Sequence, residues 1–197
     1  MKRSIVISII LLALAMQGCI VISVHPFYRE GDIVYRKELE GNWTDQENNA
    51  WRIHKNPYKT NSYELHMKKD GREVQLLGHL FTIKDDLYLD MVPVSDNTPE
   101  VTVFDLHMIP MHSVARVTHI DNKEVTIKWF NEEWLRKMFT ENRIKISHEM
   151  LMDPDPKFKG YGMYLLTAST EELQGFIKKY GRNEDAYDEN LGLKLTR

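Results

Sequence analysis

Residues 62–69 alternate in character: Tyr63, Leu65 and Met67 fall on one side, Glu64, His66 and Lys68 on the other, and Asp70-Gly71 ends the run. Side chains of an extended chain repeat every two residues, so this pattern calls for a strand with one buried face. Asp-Gly is the dipeptide that two-residue hairpin turns favour. Pairing outward from that turn sets Met67 opposite Val74, Leu65 opposite Leu76 and Tyr63 opposite Gly78. A slip of one residue would turn all of the apolar side chains to water, so the register is pinned. The chain is thereby committed to an antiparallel sheet with a dry face.

The same punctuation continues on both sides. Trp43, the polar turn 45–49 and Trp51 with Ile53 read as one hairpin, and Phe81-Thr82-Ile83, Lys84-Asp85-Asp86 and residues 87–92 as another. After a polar, proline-containing loop at 93–100, residues 106–120 and 124–129 pair around Asp121-Asn122-Lys123, which sets Val117 against Ile127 and Ala115 against Trp129. Residues 161–168 read as a last strand. Asn131 can cap a helix over 132–142 with Trp134, Leu135, Met138 and Phe139 on one stripe. Ser169 and Glu172 form a capping box ahead of Leu173, Phe176, Ile177 and Tyr180, with Gly181 as the stop. Seven to nine antiparallel strands and two short helices predict a mainly β fold. A meander of this kind disposes of its edges by closing into a small barrel or half-barrel, here over residues 41–181. Residues 182–197 are polar and weakly patterned and are expected to form a loosely ordered tail.

The N-terminus follows a different logic. Lys2 and Arg3, an apolar run from residue 5 to 15, and Gly18 before the sole cysteine, Cys19, make the three parts of a secretory signal peptide. Twelve residues, 5–16, fall short of the roughly 20 that span a bilayer, unless the run extends through Cys19 to residue 24, across Gln17, Gly18 and Ser23, as an uncleaved anchor; a plain secretory signal is the other reading. The run Ala15-Met16-Gln17-Gly18-Cys19 resembles the lipobox of bacterial lipoproteins, departing from its commonest residues at Met16 and Gln17. That resemblance implies a signal peptide at 1–18 and an acylated Cys19 as the first mature residue. With Ile20 behind it in place of aspartate, it also implies residence in the outer membrane, facing the periplasm. Residues 19–40 then form the lipidated cysteine and a tether, which docks through the aromatics of His25-Pro26-Phe27-Tyr28 and a short helical turn within 30–39. One cysteine cannot form an internal disulfide. The 179 residues left after removal of 1–18 carry 24 basic and 29 acidic side chains, because the leader holds only Lys2 and Arg3 among the charged residues. A net charge of −5 without a basic block argues against nucleic acid and against electrostatic docking on anionic lipid, so attachment falls to acyl chains on Cys19.

Gly41-Asn42-Trp43, after its helical lead-in, resembles the glycine-x-tryptophan signature of lipocalins, eight-stranded barrels that hold one apolar ligand. The family's later strand-end motif and its conserved arginine have no recognisable counterpart in the sequence. The chain also resembles bacterial envelope lipoproteins with a Gly-x-Trp-Thr-Asp opening and a Leu-Thr-Ala-Ser-Thr-Glu-Glu-Leu segment like residues 166–173, a likeness that supplies an address and no activity. The lipocalin resemblance implies an inward set of Trp43, Tyr63, Leu65, Met67, Val74, Leu76, Val117, Ile127 and Trp129. These residues line a ligand cavity on one reading and fill an ordinary core on the other. Gly78 could leave room among them.

No glycine-flanked serine, HExxH or phosphate-cradling loop occurs, and the adjacent acidic pairs sit at turns and helix starts, so the chain is not expected to be an enzyme. His107 and His112, with Met108, Met111, Met150 and Met152, offer soft ligands that could hold copper, yet the eight histidines are scattered and neither metal nor cofactor is expected. His66 faces outward opposite Gln75, and His119 shares a face with Val117 as a buried polar group. Asp153-Pro154-Asp155-Pro156 reads as a stiff solvated loop. Two functions follow: a lipid-anchored carrier of a small apolar ligand, or a non-enzymatic interaction or assembly module tethered to the outer membrane, with Leu77 and Phe81 as a candidate contact patch.

Overall fold

The structure, a computed structural model, describes residues 20–69, 71–94, 109–152 and 162–197. The leader, Cys19, Asp70, His107, Met108 and the Asp-Pro loop lie outside the described residues. The chain enters through β1 (Ile22–Ser23), two 3-10 turns (Glu30–Asp32 and Lys37–Leu39) and then β2 (Gly41–Thr44), β3 (Ala50–Lys55), β4 (Tyr63–Lys69), β5 (Arg72–Ile83), β6 (Asp86–Pro93), β7 (His112–Ile120) and β8 (Glu124–Phe130). It continues through α1 (Glu132–Thr140), β9 (His148–Met152), β10 (Gly162–Leu166), α2 (Thr170–Tyr180) and β11 (Tyr187–Thr196). Strands β2 to β8 form the expected meander, β11 inserts between β8 and β2, and β6 pairs with β7, so eight antiparallel strands close into a lipocalin-like barrel.

The barrel follows the alternation read from the sequence. Met67 pairs Val74, Leu65 pairs Leu76 and Tyr63 pairs Gly78. Across β7 and β8, Val117 pairs Ile127 and Ala115 pairs Trp129. Strand β5 runs unbroken through Gly78, and a Cβ there would come 2.5 Å from Leu65 Cδ1, so the space beside the glycine is taken by a core leucine. Both helix starts form as expected. The Asn131 side chain accepts the Glu133 and Trp134 N–H groups, and Ser169 and Glu172 close a full capping box.

Four expectations are corrected. Residues 182–197 are no loose tail: Leu193 and Leu195 on β11 point into the core and pair with Ile127 and Val125, and without them the barrel would stay open. The strand over residues 162–166 is not the last one and lies outside the barrel, in a side sheet where β10 joins β1 and β9. Phe81 is not a surface patch, being fully buried beneath the N-terminal segment and α2. A register shift between Val117 and His119 turns His119 outward, where it meets Asp121 at 3.2 Å with half of its side chain exposed.

There are two cores. The lumen holds Leu39, Trp43, Trp51, Ile53, Tyr63, Leu65, Leu80, Leu89 and their neighbours. The second lies on the outside of β5 to β8 and β11, where Phe81, Tyr88, Val114, Phe130 and Tyr187 are covered by Leu135 and Met138 of α1 and by Leu173, Phe176 and Ile177 of α2. Residues 20–40 dock on the body of the domain: Val21, Phe27 and Tyr28 are buried, and Ile22 pairs with both Ser113 and Leu165.

Candidate functional site

Most of the expected cavity residues converge in one buried cluster inside the barrel. Trp43, Tyr63, Leu65 and Ile127 are each 3% exposed or less, and Val117 is 9% exposed. Met67, Leu76 and Trp129 pack half-buried at the rim of the same cluster, and Val74, at the end of β5, is exposed. One end is stoppered by residues 34–39. Leu39 is buried, the Tyr35 ring stacks on Tyr63 at 4.9 Å, and the Tyr63 hydroxyl accepts the Arg36 N–H at 2.6 Å. Burial pushes the Tyr63 phenol up to about 12, so it keeps its proton and donates it to the Arg36 carbonyl at 3.1 Å.

The glycine-x-tryptophan motif gains a physical reason at this end. The Trp43 indole N–H donates to the Leu39 carbonyl at 2.9 Å, and the Arg197 guanidinium lies over the Trp43 ring, 4.1 Å from its centroid. Arg197 also donates to the carbonyls of Glu38 and Glu40, locking the 3-10 turn onto the strand. Gly41 adopts φ +143°, a conformation that calls for glycine, and a Cβ there would crowd Arg197 Nη2 at 2.7 Å. No neighbouring motif marks Arg197 in the sequence, and only barrel closure brings it to Trp43.

Outside the barrel, His79, Asp90 and His112 lie on neighbouring strands beneath residues 23–28. The fully buried Asp90 carboxylate accepts the Phe27 N–H at 2.9 Å and meets His112 Nδ1 at 2.7 Å. Tyr28 stacks on His79 at 4.4 Å. Burial, with Asp90 and Glu30 adding to it, pushes the Tyr28 phenol up to about 12, while burial drives His79 down to about 4 and leaves it neutral. Among the described residues, His79 Nδ1 has no hydrogen-bond partner. The group sits under a clamped segment, and its polar atoms hold the chain entry in place.

A third assembly stands on the outer face of β3 and β4. His54 is directly across the ladder from Glu64, and His66 is the next outward residue on β4. One ligand atom from each lies within 4.8 Å of the others, and the two imidazole rings are 5.2 Å apart. A groove of about 500 Å³ runs beside them, lined by Asn42, Arg52, His66, Lys68 and Glu73 among others. Sequence reading placed His66 outward correctly, opposite Gln75. It missed His54 and Glu64, because the segment between β3 and β4 carries no tight-turn dipeptide to set the register that brings them together. No family model, curated protein or solved structure matches this chain.

Proposed function

We propose that the protein is a lipid-anchored bacterial envelope protein, held to the outer membrane by acyl chains on Cys19 and acting there as a non-enzymatic interaction or assembly module. The observation that favours this choice over a ligand carrier is the burial of Trp43, Tyr63, Leu65 and Ile127, four of the residues that would line a cavity, in one cluster with their neighbours. Small barrels are commonly filled in this way, and a filled barrel is a rigid scaffold whose working surface is its exterior. The entry of the chain supports the anchoring half of the reading. Ile20, next to Cys19, bridges to Asn131, and Val21 is buried, so an acylated Cys19 would hold the domain directly against the bilayer.

Each half has its own experiment. Cys19→Ser should move the protein out of the membrane fraction or leave the precursor uncut, and a Cys19→Ser protein that stays membrane-bound at its normal size overturns the anchoring. Native mass spectrometry of the detergent-purified chain should show the covalent lipid and no second, non-covalent one. A stoichiometric non-covalent lipid, retained by the wild type and lost on Leu65→Trp, restores the carrier.

A further inference from the structure

We infer that the outer face of β3 and β4 is a binding site for a divalent transition-metal ion, with Zn²⁺ best matched to its ligands, held by His54, His66 and Glu64. Two imidazoles and one carboxylate are a donor set that zinc uses when it keeps a fourth position for water or a partner group, whereas magnesium and calcium require mostly oxygen ligands. The three donors lie within 4.8 Å of one another. A tetrahedral ion with bonds of 2.0–2.1 Å places its donors about 3.3 Å apart, so the site must close by roughly 1 Å or a little more, within reach of side-chain rotation.

What separates this trio from a chance surface cluster is the orientation of its members. His66 Nδ1 lies 3.2 Å from a Glu73 carboxylate oxygen, while its Nε2 faces Glu64 Oε2 at 3.8 Å. A proton on Nδ1 held by Glu73 leaves the Nε2 lone pair free for the ion, which is the carboxylate–histidine–metal relay that orients metal-binding imidazoles. The Glu64 carboxylate is divided in the same sense. Its Oε1 accepts the Asn56 amide at 3.1 Å, leaving Oε2 turned to His66. Both ligand side chains of β4 are about one-fifth exposed, open enough to admit an ion and sheltered enough to keep much of the surrounding water off it. Rigidity comes from the ladder, since His54, Glu64 and His66 all stand within the paired stretch of two central barrel strands. Arg52, the ladder partner of His66, and Lys68 stand along the same groove and limit its negative charge, which favours a site built on neutral imidazoles over an all-carboxylate one. The site does not depend on the anchoring or on the lumen.

The test uses the full, untagged chain in detergent, stripped with chelator and dialysed against Zn²⁺ in the presence of excess Mg²⁺. One Zn²⁺ per chain should be retained. His54→Gln with His66→Gln should abolish retention while leaving the far-ultraviolet circular dichroism unchanged. Glu73→Gln should keep the stoichiometry and weaken affinity about 10-fold or more, as loss of an orienting carboxylate does. Co²⁺ in place of Zn²⁺ should give visible bands of a four-coordinate site, absent in the double variant. No bound Zn²⁺ in the wild type, or equal binding by the folded double variant, overturns the proposal.

Discussion

Replacing His79 with phenylalanine should flatten the acid side of this protein's stability curve. The imidazole sits on the outer face of β5, 3% exposed, stacked under Tyr28, with Nδ1 unpartnered among the described residues. Burial, helped by the repulsion of Lys59 and His112, lowers its pKa from 6.5 to about 4. Below pH 6.5 the unfolded chain therefore takes up a proton that the native state refuses until about pH 4. Where the unfolded state binds more protons, stability rises with pH, so acidification from 6.5 towards 4 must destabilise. At about 1.4 kcal/mol per pH unit the full penalty is about 3 kcal/mol, of which about 2 kcal/mol has accumulated by pH 5. Urea unfolding followed by tryptophan fluorescence, at about pH 7.5 and about pH 5, measures it in wild type and His79→Phe side by side. The phenyl ring keeps the stack on Tyr28 and carries no proton, so the wild type should lose about 2 kcal/mol more than the variant between the two conditions. Equal losses would show that the imidazole titrates normally. A smaller loss in the wild type would mean that native His79 gains a proton, shared with Asp90 across the β5–β6 ladder, and would refute the reasoning outright.

Two further substitutions probe the barrel end and its first turn. Arg197→Ala removes the cation over Trp43 and two carbonyl contacts and should cost about 1–2 kcal/mol in denaturant unfolding, with Arg197→Lys recovering little because an ammonium cannot fork across Glu38 and Glu40. Asp45 accepts the Trp51 indole N–H at 3.0 Å together with donors from Glu47 and Asn49; burial opposes its ionisation, but these hydrogen bonds win and hold the carboxyl below its usual 3.8. Its stabilisation is therefore complete above pH 3.8 and fades as the pH falls through the lowered value, and Asp45→Ala should cost about 2 kcal/mol at neutral pH by orphaning the indole.

What the sequence disclosed and what it concealed divide along a physical line. Local periodicity and caps were legible: the β4–β5 register, the β7–β8 register, the Asn131 cap and the Ser169–Glu172 box all depend on residues close in the chain. Contacts made by closure were not. Strand β11 carries alternating leucines at 191, 193 and 195, but its polar start and the irregularity between Tyr187 and Gly192 mask the pattern. Arg197 meets Trp43 only after eight strands have turned full circle. The outward apolar residue Phe81 looks like part of a surface patch in one dimension, and nothing local says that α2 and the N-terminal segment cover it. His54 and Glu64 become neighbours across a seven-residue loop, 56–62, whose polar composition fixes no register.

The two cores together decide which face of the molecule is available. The lumen set is buried in its own cluster, and the apolar cluster that seats both helices draws on β5 to β8 and β11 but, among the described residues, takes none from β2, β3 or β4. The outer wall of those three strands is left polar, with His54, Glu64, His66 and the adjoining groove on it. In the closed order β2-β3-β4-β5-β6-β7-β8-β11, β7 stands four strands from β3, directly across the barrel, and β7 is the strand that β1 pairs with as the chain enters. An acyl group on Cys19, just ahead of β1, would therefore bring the β7 side towards the bilayer and turn the histidine-bearing wall away from it. A barrel anchored in that way offers its polar wall to the periplasm, so the proposed anchor and the proposed metal site are compatible without sharing a single residue.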